Sequence, residues 1–182
     1  MRKNLIITLL LILSATLLTA ADPSPATFSV STKISAVNDM KITNTQVDED
    51  TYSEPDNTFS GTVSIVGSGP DQNMDANGNV DFTAYVSAIS NNRVGYTVLM
   101  SATPLISEGE PPAIINYTVT VNEVPYDTTG TPAAVSVITV ESLDELSVES
   151  LPISVRVDRD QFDSAVAGTY TGSVTFEYTA AN

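Results

Sequence analysis

From about residue 27 to the C-terminus, apolar side chains recur at every second position in short runs, and that spacing decides what the chain can become. Successive side chains of an extended strand point to opposite faces. Alternation with a period of two therefore describes strands with one face in a core and one in water. Residues 27–36 carry Phe28, Val30, Thr32, Ile34 and Ala36 on one side. Met40 and Ile42 make a second short run, and Phe59 to Val66 carries Val63 and Ile65 up to the breaker Gly67-Ser68-Gly69-Pro70. Val80 to Ile89 alternates through Phe82, Ala84, Val86 and Ala88, and Val94 to Ala102 follows with Tyr96, Val98 and Met100. The Asn91-Asn92 pair between those two runs predicts a β-hairpin.

The pattern continues through Ile115, Tyr117, Val119 and Val121, then the β-branched stretch 135–140, then Ile153, Val155 and Val157. It ends with Val174, Phe176 and Tyr178 inside 169–179. Glu141 to Leu151 is the exception: Leu143, Leu146 and Val148 fit a helical turn, which Pro152 closes off. Eight to ten strands at this spacing predict an all-β fold, a single sandwich rather than a membrane barrel, because the aromatic girdles of such barrels are missing.

The N-terminus sets the compartment. Arg2 and Lys3 precede an apolar stretch from Leu5 to Leu13, and Thr19-Ala20-Ala21 offers small side chains where a signal peptidase cuts. The apolar core is shorter than the roughly 20 residues a spanning helix needs. Residues 1–21 are therefore expected to be a signal peptide and 22–182 a single β-sandwich domain, exported to the periplasm, the cell surface or the medium. No later run is long enough to span a membrane.

What remains after cleavage holds five basic residues against 22 acidic ones, a formal charge of −17. Such a surface repels phosphate backbones, which argues against nucleic acid as a partner. With no cysteine, no disulfide supports the fold, so the core must hold it alone. With no histidine, the commonest general base and transition-metal ligand is missing, and no serine has a His partner to activate it. Carboxylate-pair hydrolysis stays chemically open. There is no Trp for a sugar platform, however, and no acidic pair stands out, so the chain is read as binding or assembling rather than catalysing.

Three stretches carry a family likeness: the alternating run Ala26 to Ile34, the late strand Leu151-Pro152-Ile153-Ser154-Val155, and the ending Ala167-Gly168-Thr169-Tyr170-Thr171-Gly172-Ser173-Val174-Thr175-Phe176. In this order they resemble fimbrial major subunits of the chaperone–usher type, especially the alternate-chaperone class, and pilin-like secreted sandwiches more widely. The resemblance implies an incomplete immunoglobulin-like β-sandwich. It makes Phe28, Val30, Thr32 and Ile34 a donated strand that joins subunits, and Val174, Phe176 and Tyr178 the acceptor edge. Strand addition of this kind takes its affinity from main-chain hydrogen bonds and its specificity from alternate side chains. The partners it implies are copies of the chain or other pilin-like subunits. The alternative is that residues 27–36 form the first strand of a self-complete sandwich.

One loop has ligand spacing. Asn73, Asp75 and Asn77 alternate, Gly78 stands at a sharp-turn position and Asp81 follows Val80, in the order of a Ca²⁺ loop. Ala84 occupies the twelfth place, where a bidentate Glu belongs, so any Ca²⁺ site here is weak. The competing explanation is a turn built on Asn77-Gly78, which needs no ion. The functional expectation is a structural or adhesive subunit of a surface fimbria or similar assembly. Its rivals are a monomeric extracytoplasmic binding module with the weak Ca²⁺ loop and a carboxylate-dependent hydrolase.

Overall fold

A computed structural model describes residues 29–59, 61–130 and 132–182. The expected signal peptide over 1–21, the start of the expected domain, and Phe28 lie outside them. The chain divides into two units, Met1–Ile34 and Ser35–Asn182.

Within the first unit, residues 29–34 form no strand and are exposed. The predicted strand over 27–36 is thus corrected for its described part: residues 29–37 have no ladder, and the first strand begins at Asn38. Alternation names the face a side chain takes, but not whether a neighbouring backbone is there to pair with it.

The second unit is all-β, with eleven strands rather than eight to ten among the described residues. They are β1 (Asn38–Thr43), β2 (Tyr85–Ser90), β3 (Tyr96–Ala102), β4 (Leu105–Ser107), β5 (Ile114–Ile115), β6 (Tyr117–Val121), β7 (Val124–Asp127), β8 (Val135–Val140), β9 (Ser147–Val157), β10 (Tyr170–Thr171) and β11 (Val174–Ala180). One short helix, α1 (Arg159–Ser164), follows β9, and the Asp158 carboxylate caps it by accepting from the Gln161 N–H.

Every ladder is antiparallel. One sheet runs β1-β2-β9-β6-β7; the others run β11-β3-β8 and β10-β4-β5. The two three-stranded sheets continue one another, because β3 passes into β4 and β10 into β11 across two residues each. Between the layers lies one core of fully buried Val86, Ala88, Val98, Met100, Val119 and Val121. These are the alternating residues of β2, β3 and β6, so period-two spacing places them correctly.

Three local features explain how the sheets are joined. The Asn91-Asn92 pair makes no hairpin: β2 pairs with β1 and β9, while β3 pairs with β8 and β11 in the other layer. That corner carries the chain between layers, a correction to the predicted hairpin, since turn residues signal a change of direction without choosing the next partner. Asn122 and Glu123, both at positive φ, close the two-residue turn between β6 and β7, splitting a run that reads as one strand. In β8 the register shifts opposite Val98 and Leu99, and the extra residue lets neighbouring Val137 and Ile138 both enter the core.

The predicted helical turn over 141–151 is not formed: residues 141–146 are irregular, and from Ser147 the chain is β9, which runs through Pro152 without a break. Residues Ser147 to Pro152 pair with β2, and Ile153 to Val157 with β6. Pro152 sits at the handover, where the β6 ladder has not yet begun, so its missing N–H costs no hydrogen bond on that side.

Candidate functional site

Along one margin of the sandwich the two layers part. β11 pairs with β3 on one side and with no strand among the described residues on the other. Its inward residues Val174, Phe176 and Tyr178 are only half-buried, whereas Met100 and Val98, opposite Phe176 and Tyr178 on β3, are fully buried. Across from it, β1 ends at Thr43, and the wall continues through Phe59 and residues 61–65, which are in no strand.

Between these walls lies an apolar cleft of about 370 Å³. Ile42, Phe59, Val63 and Ile65 line it from one side, Leu105, Val174 and Phe176 from the other, and Phe82, Ala84, Ile153 and Val155 from the sheet beneath. At one end the Tyr178 hydroxyl donates to Asn38 Oδ1 at 2.9 Å, tying the two edge strands together. The Tyr178 ring stacks on Tyr96 with 5.0 Å between centroids. The margin is therefore sealed at Tyr178 and open at Val174. Of the three residues expected on the acceptor edge, Val174 and Phe176 line the opening and Tyr178 closes its far end.

Tyr117 also borders the cleft, and its hydroxyl donates to the Ser173 carbonyl at 3.2 Å. Burial pushes its phenol up to about 12, so it is a neutral donor at ordinary pH.

Of the residues expected to join subunits, Phe28 lies outside the described residues. Val30 is 84% exposed, Ile34 81% exposed, and Thr32 is exposed as well. Large aliphatic side chains so fully in water, four residues apart and on the same phase of the alternation, are unburied apolar surface. Just after them, Ser35 and Val37 are held at the β2–β3 corner. The Asn91 side-chain amide donates to the Ser35 carbonyl at 3.0 Å, the Val37 N–H donates to Asn91 Oδ1 at 2.8 Å, and the Asn91 N–H donates back to the Val37 carbonyl at 3.1 Å. That corner and the cleft residue Ala84 lie at opposite ends of β2, about 20 Å apart at 3.3 Å per residue.

The ligand-spaced loop forms a turn. The Asn73 side chain accepts from the Val66 N–H at 2.8 Å and donates to the Ser64 carbonyl at 2.7 Å. One Asp75 carboxylate oxygen accepts from the N–H groups of Asn77 and Asn79, the other from the Asn79 side chain. Those donors, led by the Asn79 side chain, hold the Asp75 carboxyl below its usual value. Gly78 sits at positive φ, and a Cβ there would come within 2.1 Å of the Val157 carbonyl oxygen, so only glycine fits. Asn77, at the turn, and Asp81, after it, are exposed. The oxygens of Asn73 and Asp75 thus accept from backbone and side-chain donors nearby, and among the described residues no group of three acidic side chains is placed to hold a metal ion.

A second, polar hollow of about 310 Å³ gathers Asp127, Asp158 and Asp160 with Arg156 and Arg159. Two of these carboxylates do structural work: Asp158 caps α1, and Asp127 accepts from the Thr129 N–H at 2.7 Å. The Thr129 donors hold the Asp127 carboxyl low, with Arg156 adding to the effect.

The cleft wall contributed by Phe59, Val63 and Ile65 was hidden in sequence, where the run reads as an ordinary strand. Its one signal is Gly61 within the alternation, a residue that weakens a strand interior. Among the described residues, no helix is long and apolar enough to cross a membrane. No protein-family model matches the chain, and no curated protein matches it.

Proposed function

We propose that this is an exported, pilin-like structural subunit that joins to further copies by strand addition, residues 27–36 of one copy entering the cleft beside β11 of the next. The observation that carries this reading is the apolar cleft open at Val174 and Phe176, next to a strand edge with no partner among the described residues. An open edge beside an apolar slot is a surface that water solvates poorly and a strand fits well.

The proposed occupant matches in period and length. Val30, Thr32 and Ile34 repeat every second residue, as do Val174, Phe176 and Tyr178. Ten residues from 27 to 36 reach about 33 Å when extended, enough to run the length of β11. Position supports a second copy as the acceptor: the Asn91 clamp launches the segment from the end of β2 remote from the cleft. An anchor and an acceptor cleft at opposite ends of β2 suit a head-to-tail contact, the kind that builds open filaments. Burying Val30 and Ile34 would contribute on the order of 1.5–3 kcal/mol each before ordering costs. The acidic surface and the expected signal peptide fit an extracytoplasmic address.

Because the chain has no cysteine, engineered thiols report cleanly. With Val30→Cys and Phe176→Cys in the same chain, oxidation is expected to give a ladder of covalently joined multimers. Monomers carrying only an internal bridge, or no bridge at all, would overturn the reading. Deleting residues 22–36 is expected to abolish the ladder while leaving the far-ultraviolet signature of the sandwich.

A further inference from the structure

The stretch 61–65 has the side-chain pattern of a strand without its ladder. Val63 and Ile65 turn inward and pack against the core, while Gly61, Thr62 and Ser64 are exposed. Among the described residues, none of the five N–H groups from 61 to 65 donates to a protein acceptor. The stretch borders the same cleft as Val174 and Phe176 and leaves about 370 Å³ of it unfilled, so its apolar side chains cover the core without filling the slot. Void on one side of a side chain forfeits dispersion contacts that a better-fitting occupant would make.

Its two ends, by contrast, are fastened. Before it, the Phe59 N–H donates to the Ile42 carbonyl at 2.9 Å, and Thr58 bridges to Thr43 beside the end of β1. After it, Asn73 closes a clasp: its side chain holds the Val66 N–H and the Ser64 carbonyl, and its own N–H donates to the Val66 carbonyl at 3.1 Å. Gly67 is pressed against the Phe162 ring of α1, so closely that a Cβ would stand 2.5 Å from it. Between a hinge at Phe59 and the clasp at Asn73, the stretch is thus held by the apolar contacts of Val63 and Ile65 and by the clasp's bond to the Ser64 carbonyl, with no N–H of its own engaged among the described residues.

We propose that residues 61–65 are a strap that walls one side of the cleft in the unassembled chain and is displaced when a partner's strand enters, with Asn73 as the clasp that sets how readily it leaves. The inference rests on the strand-addition reading and adds regulation of that site: the subunit carries its own placeholder, which keeps its apolar cleft from sticking indiscriminately before assembly. It also gives the Asn73 side chain a role unconnected with metal.

The test follows self-association of the mature chain by light scattering and compares it with Asn73→Ala and with Ser64→Ala, whose exposed hydroxyl takes no part in the clasp. Losing the two side-chain bonds of Asn73 is expected to speed association roughly five- to thirtyfold, the factor that 1–2 kcal/mol represents; Ser64→Ala should leave the rate unchanged. Equal rates in all three chains would overturn the strap while leaving strand addition standing, and absence of association in every chain would sink both. Should Asn73→Ala fold poorly, hydrogen exchange on the wild-type chain decides instead. Amides 61–65 should stay unprotected and become more protease-sensitive on assembly, and a gain of protection there would overturn the proposal.

Discussion

Two neighbouring stretches of irregular chain cover apolar surface on the same five-stranded sheet, and they do it in opposite ways. Residues 44–57 lie over its outer face, where Val47 and Tyr52 bury Ile89. This cover is stitched down by polar groups. The Val47 N–H donates to Ser150 Oγ at 3.1 Å, the Gln46 side chain donates to the Ser150 carbonyl, and buried Thr43, Ser87 and Ser150 hydroxyls form a chain with 2.9 Å links. The Lys41 ammonium donates to the Tyr52 carbonyl and lies over its ring. Residues 61–65 cover the margin with Val63 and Ile65, and among the described residues their one polar tie is the Asn73 side chain donating to the Ser64 carbonyl. Apolar contact is non-directional, whereas buried hydrogen bonds demand one geometry. The first cover is part of the fold; the second is a tenant of it.

The contrast breaks most visibly in the side chains themselves. Tyr52 is 4% exposed, so Tyr52→Ala should cost about 3–5 kcal/mol in urea unfolding, the toll of emptying an aromatic site. Half-buried Ile65→Ala should cost only about 1 kcal/mol; equal losses in the two variants would erase the distinction. Ser150→Ala comes next. It strands the buried Val47 N–H and leaves the Ser87 hydroxyl with Thr43 alone, with an expected loss of about 1–3 kcal/mol by the same measurement.

The smallest effect concerns acid. The hydroxyl and N–H of Thr51 donate to the Asp48 carboxylate and hold its carboxyl below the usual value. A depressed value in the fold means stability that is present above the unfolded value near 3.9 and lost as pH falls through the folded one. Exchange of the Thr51 amide should therefore quicken below about pH 4, and Asp48→Asn should remove that dependence.

Much of the architecture can be read from alternation: the inward faces of β3, β6 and β11 are the residues spaced by two. What alternation leaves out is pairing. Thr27 to Ala36 alternates as well as any strand, yet its described part has no ladder. β2 hides the opposite way, because Ser87 and Ile89 on its outer face are buried beneath the cover and only the distant loop explains why. The leucines at 143 and 146 suggest a helical turn, but the strand beside them, β9, takes its register from β2 and β6, a long-range choice that local spacing does not record. At the candidate site, Val174 and Phe176 were legible as an inward row, whereas their facing wall depends on where β1 stops. The Asn73 and Asp75 oxygens were legible by their spacing, whereas the nearby N–H groups that they accept from, Val66 among them, were not.

Pro152 has a further consequence. Because β9 serves β2 with its first half and β6 with its second, an error in its alignment would propagate through all five strands at once. A slide that carried the ring into the β6 stretch would put an imino nitrogen where an amide must donate, and the mismatch would be felt immediately. The proline thus works as an index pin: of the alignments that alternation alone would tolerate, it penalises the neighbours of the native one while the sheet is still being assembled.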